Sequence, residues 1–121
     1  MKAVVLESHG SPDVLKYIDV DSPSCNNNQI KIRVKSSSIN HLDLWVRSGI
    51  PGMHLKLPMI MGSDASGIIE EVGKDVNGMN TPYCYKVGDD VIIQPGVYNP
   101  QCEISKRGEE NISPSYGILG E

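Results

Sequence analysis

The clearest periodicity in the chain covers residues 29–35, where Ile30, Ile32 and Val34 alternate with Lys31, Arg33 and Lys35. A period of two puts the apolar residues on one face, so the segment predicts a half-exposed antiparallel strand with a solvated basic face. It feeds the stretch 37–67, around which the rest of the chain is organised. There Asn40 can cap a short helix over residues 41–48, Leu44 and Trp45 give it an apolar face, and Ser48-Gly49 stop it. Residues 60–67 form a glycine-punctuated apolar run, the mark of a strand with something passing close to its backbone. Joined by a loop marked by Pro51-Gly52, these two corners can line one cleft.

The flanking segments are short and turn-rich. Residues 1–7 and 14–20 predict strands around a Gly10-Ser11-Pro12 turn, and the stretch 21–28, with Pro23 and three consecutive Asn, predicts a loop. Residues 68–72 extend the central strand until Gly73. A polar excursion over 74–85 follows, with Asn77-Gly78 as a tight turn. Residues 87–93 turn into another strand, closed by Pro95-Gly96, and residues 97–116 are polar and irregular, a lobe rather than an element. Gly117-Ile118-Leu119 then begins a further strand. This succession of short strands predicts an all-β fold, a barrel or a sandwich. The sequence stops as an apolar element begins, so the chain is expected to be a piece of a longer polypeptide or a truncated product.

Composition narrows the partners. At 121 residues the chain suits one domain with a modest core, and without Phe that core must come from Val, Ile, Leu and Met. The net charge is −4 and the only adjacent basic pair is Lys106-Arg107, so neither nucleic acid nor an anionic membrane is an expected partner. Cys25, Cys84 and Cys102 are odd in number and form no C-x-x-C pair, which argues for a reducing compartment. The apolar run Ala3-Val4-Val5-Leu6 breaks at Glu7, too short for a signal peptide or membrane span. A soluble cytoplasmic domain is the expectation, and in that setting Asn111-Ile112-Ser113 matches the glycosylation pattern by chance.

Most catalytic motifs are absent. No G-x-G-x-x-G dinucleotide fingerprint occurs. Gly62 and Gly67 have phosphate-loop spacing, but Ile68-Ile69 stand where Lys and a hydroxyl residue belong. No H-E-x-x-H exists, and His9, His41 and His54 cannot pair at helical spacing. Asp89-Asp90 reads as a solvated turn, Asp43 as a first-turn acid favourable at a helix N-terminus, and Trp45, on pattern alone, as a core residue. From the residues alone His41 is a candidate ligand contact at a helix start, and no reaction follows.

Five segments together carry a resemblance: Met1-Lys2-Ala3-Val4-Val5, residues 40–49, residues 62–73, Val87-Gly88-Asp89-Asp90-Val91 and residues 114–121. In that order and at nearly that spacing they resemble the N-terminal GroES-like part of the medium-chain dehydrogenase/reductase superfamily, which contains alcohol dehydrogenases and quinone oxidoreductases. The resemblance covers essentially residues 1–121, with 74–85 longer than the usual loop. It implies a partly open β-barrel, incomplete at its C-terminus, that forms one wall of an active site. The other wall would come from a Rossmann domain, downstream or on a separate chain, that brings NAD(P)H.

The resemblance also locates candidate residues. Asn40 matches an Asn found in quinone reductases and would be a polar catalytic residue of the cleft together with Asp64, which lines its floor beside the pocket residue Ser63. His41 matches a position near the cofactor phosphates, and Trp45 would shape the pocket of a small-molecule acceptor. In zinc-dependent members a Cys stands where this chain has Asn40, a His stands at Ser63, and the third ligand lies beyond residue 121, so catalytic zinc is not expected. Leu42 stands where the hydroxyl of a proton relay would be. A structural-zinc lobe of the family carries four Cys at positions matching Asn99, Cys102, Ser105 and Ser113, of which only Cys102 is a thiol. The lobe 97–116 is therefore expected to be mobile or held by its own packing. The implied function is hydride transfer to a quinone, enone or carbonyl, with the chain inactive on its own. The alternatives are a non-catalytic binding or scaffold module, a decayed or split enzyme and, more remotely, a co-chaperonin. Exposed strand edges allow a homo-oligomer.

Overall fold

A computed structural model describes residues 1–78 and 83–120, mostly short strands in open sheets with one α-helix. The contacts divide the chain into two units. One contains Met1, Val20–Ser37 and Ala65–Ile93, and the other Lys2–Asp19, Ser38–Asp64 and Gln94–Glu121.

In the second unit, β1 (Lys2–Leu6) is central, flanked by β2 (Leu15–Asp19) and β4 (Met59–Ile60). Both neighbours are antiparallel to it, with Ala3 opposite Ile18 and Val5 opposite Ile60. Ala3, Val5 and Leu6 on β1 are buried, and Val46 from α1 (His41–Ser48) is fully buried too. His9 ties the helix end down: its Nδ1–H donates to Val46 O at 2.8 Å, while the Gly10 N–H donates to Arg47 O at 2.9 Å. The helix stops at Gly49, whose φ of +90° only glycine adopts without strain.

In the first unit, β5 (Asp64–Val72) lies between β3 (Ile30–Ser38) and β6 (Asp90–Ile92). Among its described residues, Ile69 and Val76 are the buried apolar ones. The strand pattern explains why Gly67 must be glycine: a Cβ there would sit 2.1 Å from Arg33 O and 3.0 Å from Ile32 Cγ2. The backbone that approaches the central run is thus that of β3. Arg33 Nε donates to Glu70 Oε1 at 2.6 Å, an ion pair on the exposed side.

Three expectations are corrected. The run 60–67 is not one strand: Gly62, at φ +107°, breaks it into β4 and β5. The alternating run of residues 30–34 forms a strand as expected, β3, but its apolar face is not covered throughout, for Val34 is 54% exposed. Leu44 and Trp45 are exposed at 44% and 56%, and the buried helix position is Val46, so Trp45 is not a core residue. The tight turn foreseen at Asn77-Gly78 is present, as the end of a 3₁₀ turn, Val76–Gly78. The Asn77 side chain clasps Tyr85, donating through Nδ2 to its carbonyl and accepting its N–H at Oδ1, both at 2.9 Å. Residues 79–82 of that excursion lie outside the described set.

Beyond β6 the chain forms a lobe whose neck is the antiparallel pair β7 (Gly96–Val97) and β8 (Gly117–Ile118). Two 3₁₀ turns, Ser105–Arg107 and Glu110–Ile112, fill the interval. The apolar start foreseen at residue 117 is therefore the return strand of this neck.

Candidate functional site

Asn40, Ser38 and Asp64 come together in the second unit. Asn40 has extended backbone (φ −105°, ψ 160°), the conformation of an N-cap, and is followed directly by helical residues. Asp43 Oδ2 accepts the Asn40 N–H at 2.7 Å, and the Asn40 side chain turns back toward the Asp43 N–H, a reciprocal capping box. Asn40 Nδ2 also donates to Asp64 Oδ2 at 2.8 Å, and Ser38 Oγ donates to the same oxygen at 2.7 Å. These two donors, Asn40 first, hold the Asp64 carboxyl below its usual range, so it stays ionised and accepts only. An acceptor-only carboxylate fixes which way the amide faces. The nitrogen points at Asp64, the oxygen at the helix, and one Nδ2–H remains uncommitted.

His41 is exposed at the first helical position, its ring edge-on to Trp45 with centroids 5.0 Å apart, an i,i+4 contact along the helix face. Trp45 is half-exposed beside it, which makes this face an apolar platform with a polar rim. Ser63 is 7% exposed, and its buried Oγ has no hydrogen-bond partner among the described residues. Ser38 was missed from the sequence. Its place at the end of β3, two residues before the cap, is a signal of position but not of orientation.

The lobe presents a second cluster. The Ser113 hydroxyl donates to Cys102 Sγ at 3.5 Å and lies 2.8 Å from Ser115 Oγ, which accepts the Asn99 N–H at 3.1 Å. Asn99 O in turn accepts the Cys102 N–H at 3.1 Å. With Ser113 as the main cause, then the N–H groups of Ile104 and Ser105, the Cys102 thiol is shifted to a lower pKa than its ordinary 9.0. Ser105 Oγ is buried near that sulfur but outside good hydrogen-bond geometry. Cys25, Cys84 and Cys102 are all free. Among the described residues no three His, Cys, Asp or Glu side chains gather as a metal donor set, and no helix is long and apolar enough to cross a membrane.

Residues 26–121 match the family model described as the alcohol dehydrogenase GroES-like domain. The chain belongs to this family. An NAD-dependent alcohol dehydrogenase of Sulfolobus acidocaldarius is 32% identical over 125 aligned positions, which span 99% of this chain and 34% of that protein. A quinone oxidoreductase of Mus musculus is 32% identical, over 94% of this chain and 33% of that protein. A crystal structure of an NAD-dependent alcohol dehydrogenase superimposes with a TM-score of 0.87 at 38% identity, covering the whole of this chain and 34% of that one. This GroES-like chain therefore spans about a third of the length of the curated relatives it matches. The strand-rich, one-helix architecture is that of the N-terminal third of medium-chain dehydrogenases.

Proposed function

We propose that this chain supplies the substrate-side wall of an NAD(P)-dependent oxidoreductase that reduces a quinone, an enone or a carbonyl without a catalytic zinc. The observation that carries the reading is the Asn40 amide, oriented by the ionised Asp64 and anchored at the start of α1. When bound to the other wall, the nicotinamide cofactor supplies the hydride. As an acceptor takes up that hydride, an electron pair moves onto its oxygen, and the oxygen gains negative charge until a proton arrives from solvent. The free Nδ2–H of Asn40 donates to that oxygen, and the positive end of the α1 dipole lies beside it. Both interactions strengthen only as charge develops, so they act on the transition state rather than on ground-state binding.

Asp64 is then a positioning residue: it turns the amide, and with its pKa lowered it is ionised near neutrality and holds no proton to donate. Trp45 offers a flat apolar surface to a conjugated acceptor, and the exposed His41 is within reach of an anionic group near the helix N-terminus. A catalytic zinc does not suit these residues. The Asn40 nitrogen is committed to Asp64, Ser63 offers a neutral hydroxyl, and neither is a good ligand beside thiolate and imidazole.

The test is the intact mass of the native protein, captured from its own cells with an antibody against this segment and assayed with NAD(P)H and quinones or enones. The proposal expects a mass above 13.2 kDa, or a co-purifying nucleotide-binding polypeptide, with acceptor-dependent NAD(P)H oxidation. A lone species of 13.2 kDa without such oxidation points instead to a binding module.

A further inference from the structure

We infer that the lobe over residues 97–116 is locked by a closed hydrogen-bond circuit ending on the Cys102 sulfur, which takes the place of a bound metal. The circuit has one direction. The Asn99 N–H donates to Ser115 Oγ at 3.1 Å, Ser115 Oγ–H to Ser113 Oγ at 2.8 Å, and Ser113 Oγ–H to Cys102 Sγ at 3.5 Å. The Cys102 N–H then returns to Asn99 O at 3.1 Å and closes the loop. Donors aligned head to tail polarise one another, and the first three here run toward the sulfur, the softest acceptor in the lobe. The circuit joins the first turn after β7 to the last turn before β8, so it cross-links both arms of the lobe just above its two-residue neck.

The donor chemistry does not suit a structural zinc. Such sites close a tetrahedron of thiolates and imidazoles, whereas the family resemblance puts Asn99, Cys102, Ser105 and Ser113 at the corresponding positions, and the Asn99 side chain is turned to the Gln101 N–H. The Ser113 hydroxyl is already engaged at 6% exposure, and the Ser105 hydroxyl is neutral and unpartnered. Hydrogen bonds therefore do the cross-linking that a metal would otherwise do, and Ser105 is the one position they leave unsatisfied.

The purified full chain tests this. Metal analysis is expected to find zinc far below one equivalent, and a chelator is expected to leave the unfolding temperature unchanged. Ser113→Ala is expected to speed amide exchange of Cys102, Lys106 and Gly108 by about tenfold, the loss of one good hydrogen bond, while Val5 and Ile69 exchange as before. Ser115→Ala, at an exposed position, is expected to give the same pattern if the buried variant folds poorly. One equivalent of zinc, a lower unfolding temperature with chelator, or unchanged lobe exchange in both variants overturns the inference.

Discussion

Gly67→Ala is the sharpest test of the packing in the sheet β3-β5-β6. The new Cβ would lie 2.1 Å from Arg33 O and 2.9 Å from Arg33 C, whereas ordinary contacts begin near 3.4 Å. The obstacle is backbone, so no side-chain rotation relieves it, and β3 must move away from β5 by roughly 1 Å. Strands sit ~4.8 Å apart, and a shift of that size disrupts the ladder on either side. Losing two or three hydrogen bonds at ~1 kcal/mol each, with some overpacking, comes to about 3–5 kcal/mol. For a domain whose whole stability is about 5–15 kcal/mol, that is a large fraction. Urea unfolding followed by far-ultraviolet circular dichroism should show a much lower midpoint with an unchanged slope. Gly78→Ala is the control: among the described residues no atom lies within 4 Å of its Cβ, and its backbone is not left-handed, so it should stay within about 0.5 kcal/mol of the parent. A Gly67→Ala midpoint equal to that of the control would refute the reasoning.

Four further outcomes are expected. Leu6→Ala, at a fully buried position on β1, should cost about 2–5 kcal/mol in the same unfolding experiment. Because hydrogen bonds from Asn40 and Ser38 depress the Asp64 pKa below 3.8, the stability this carboxylate contributes is present above its unfolded pKa and is lost as pH falls through its folded one. The midpoint of a carbon-13 titration of Asp64 should therefore lie below 3.8 in the parent and move back toward that value in Asn40→Ala. Ser105→Ala removes a buried hydroxyl without a partner and should leave thermal stability equal or slightly higher. The 121-residue chain by itself should show no turnover, and micromolar NADPH should not quench Trp45 fluorescence saturably; a saturable quench would place a nucleotide site on this chain.

The helix at residues 41–48 was legible because every signal there agrees: an Asn cap, an acid at the third helical position, and a glycine at the stop. Its buried face was not, since Leu44, Trp45 and Val46 are all apolar and only the register against β1 and His9 selects Val46. The close approach at Gly67 could be read from the glycine, but its partner, Arg33, could not, because pairing of β3 with β5 is set by the whole sheet. Likewise, Asn40 and Asp64 were marked by family position, whereas the hydrogen bond between them joins residues 24 apart in sequence. Ser38 and the Ser113–Cys102 contact are of the same kind. Serines are common and carry no periodicity, so their roles emerge only once the backbone has placed an acceptor opposite.

The central claim, that the Asn40 amide stabilises negative charge on a hydride acceptor, is tested most directly by steady-state kinetics of the native polypeptide and its Asn40→Ala variant. A quinone and an enone would serve as acceptors, with NADH and NADPH compared. The account predicts acceptor-dependent NAD(P)H oxidation whose kcat falls by about 10²–10³-fold in the variant, with the KM for the nicotinamide cofactor little changed. Equal kcat in parent and variant, or no reduction of either acceptor, would contradict it.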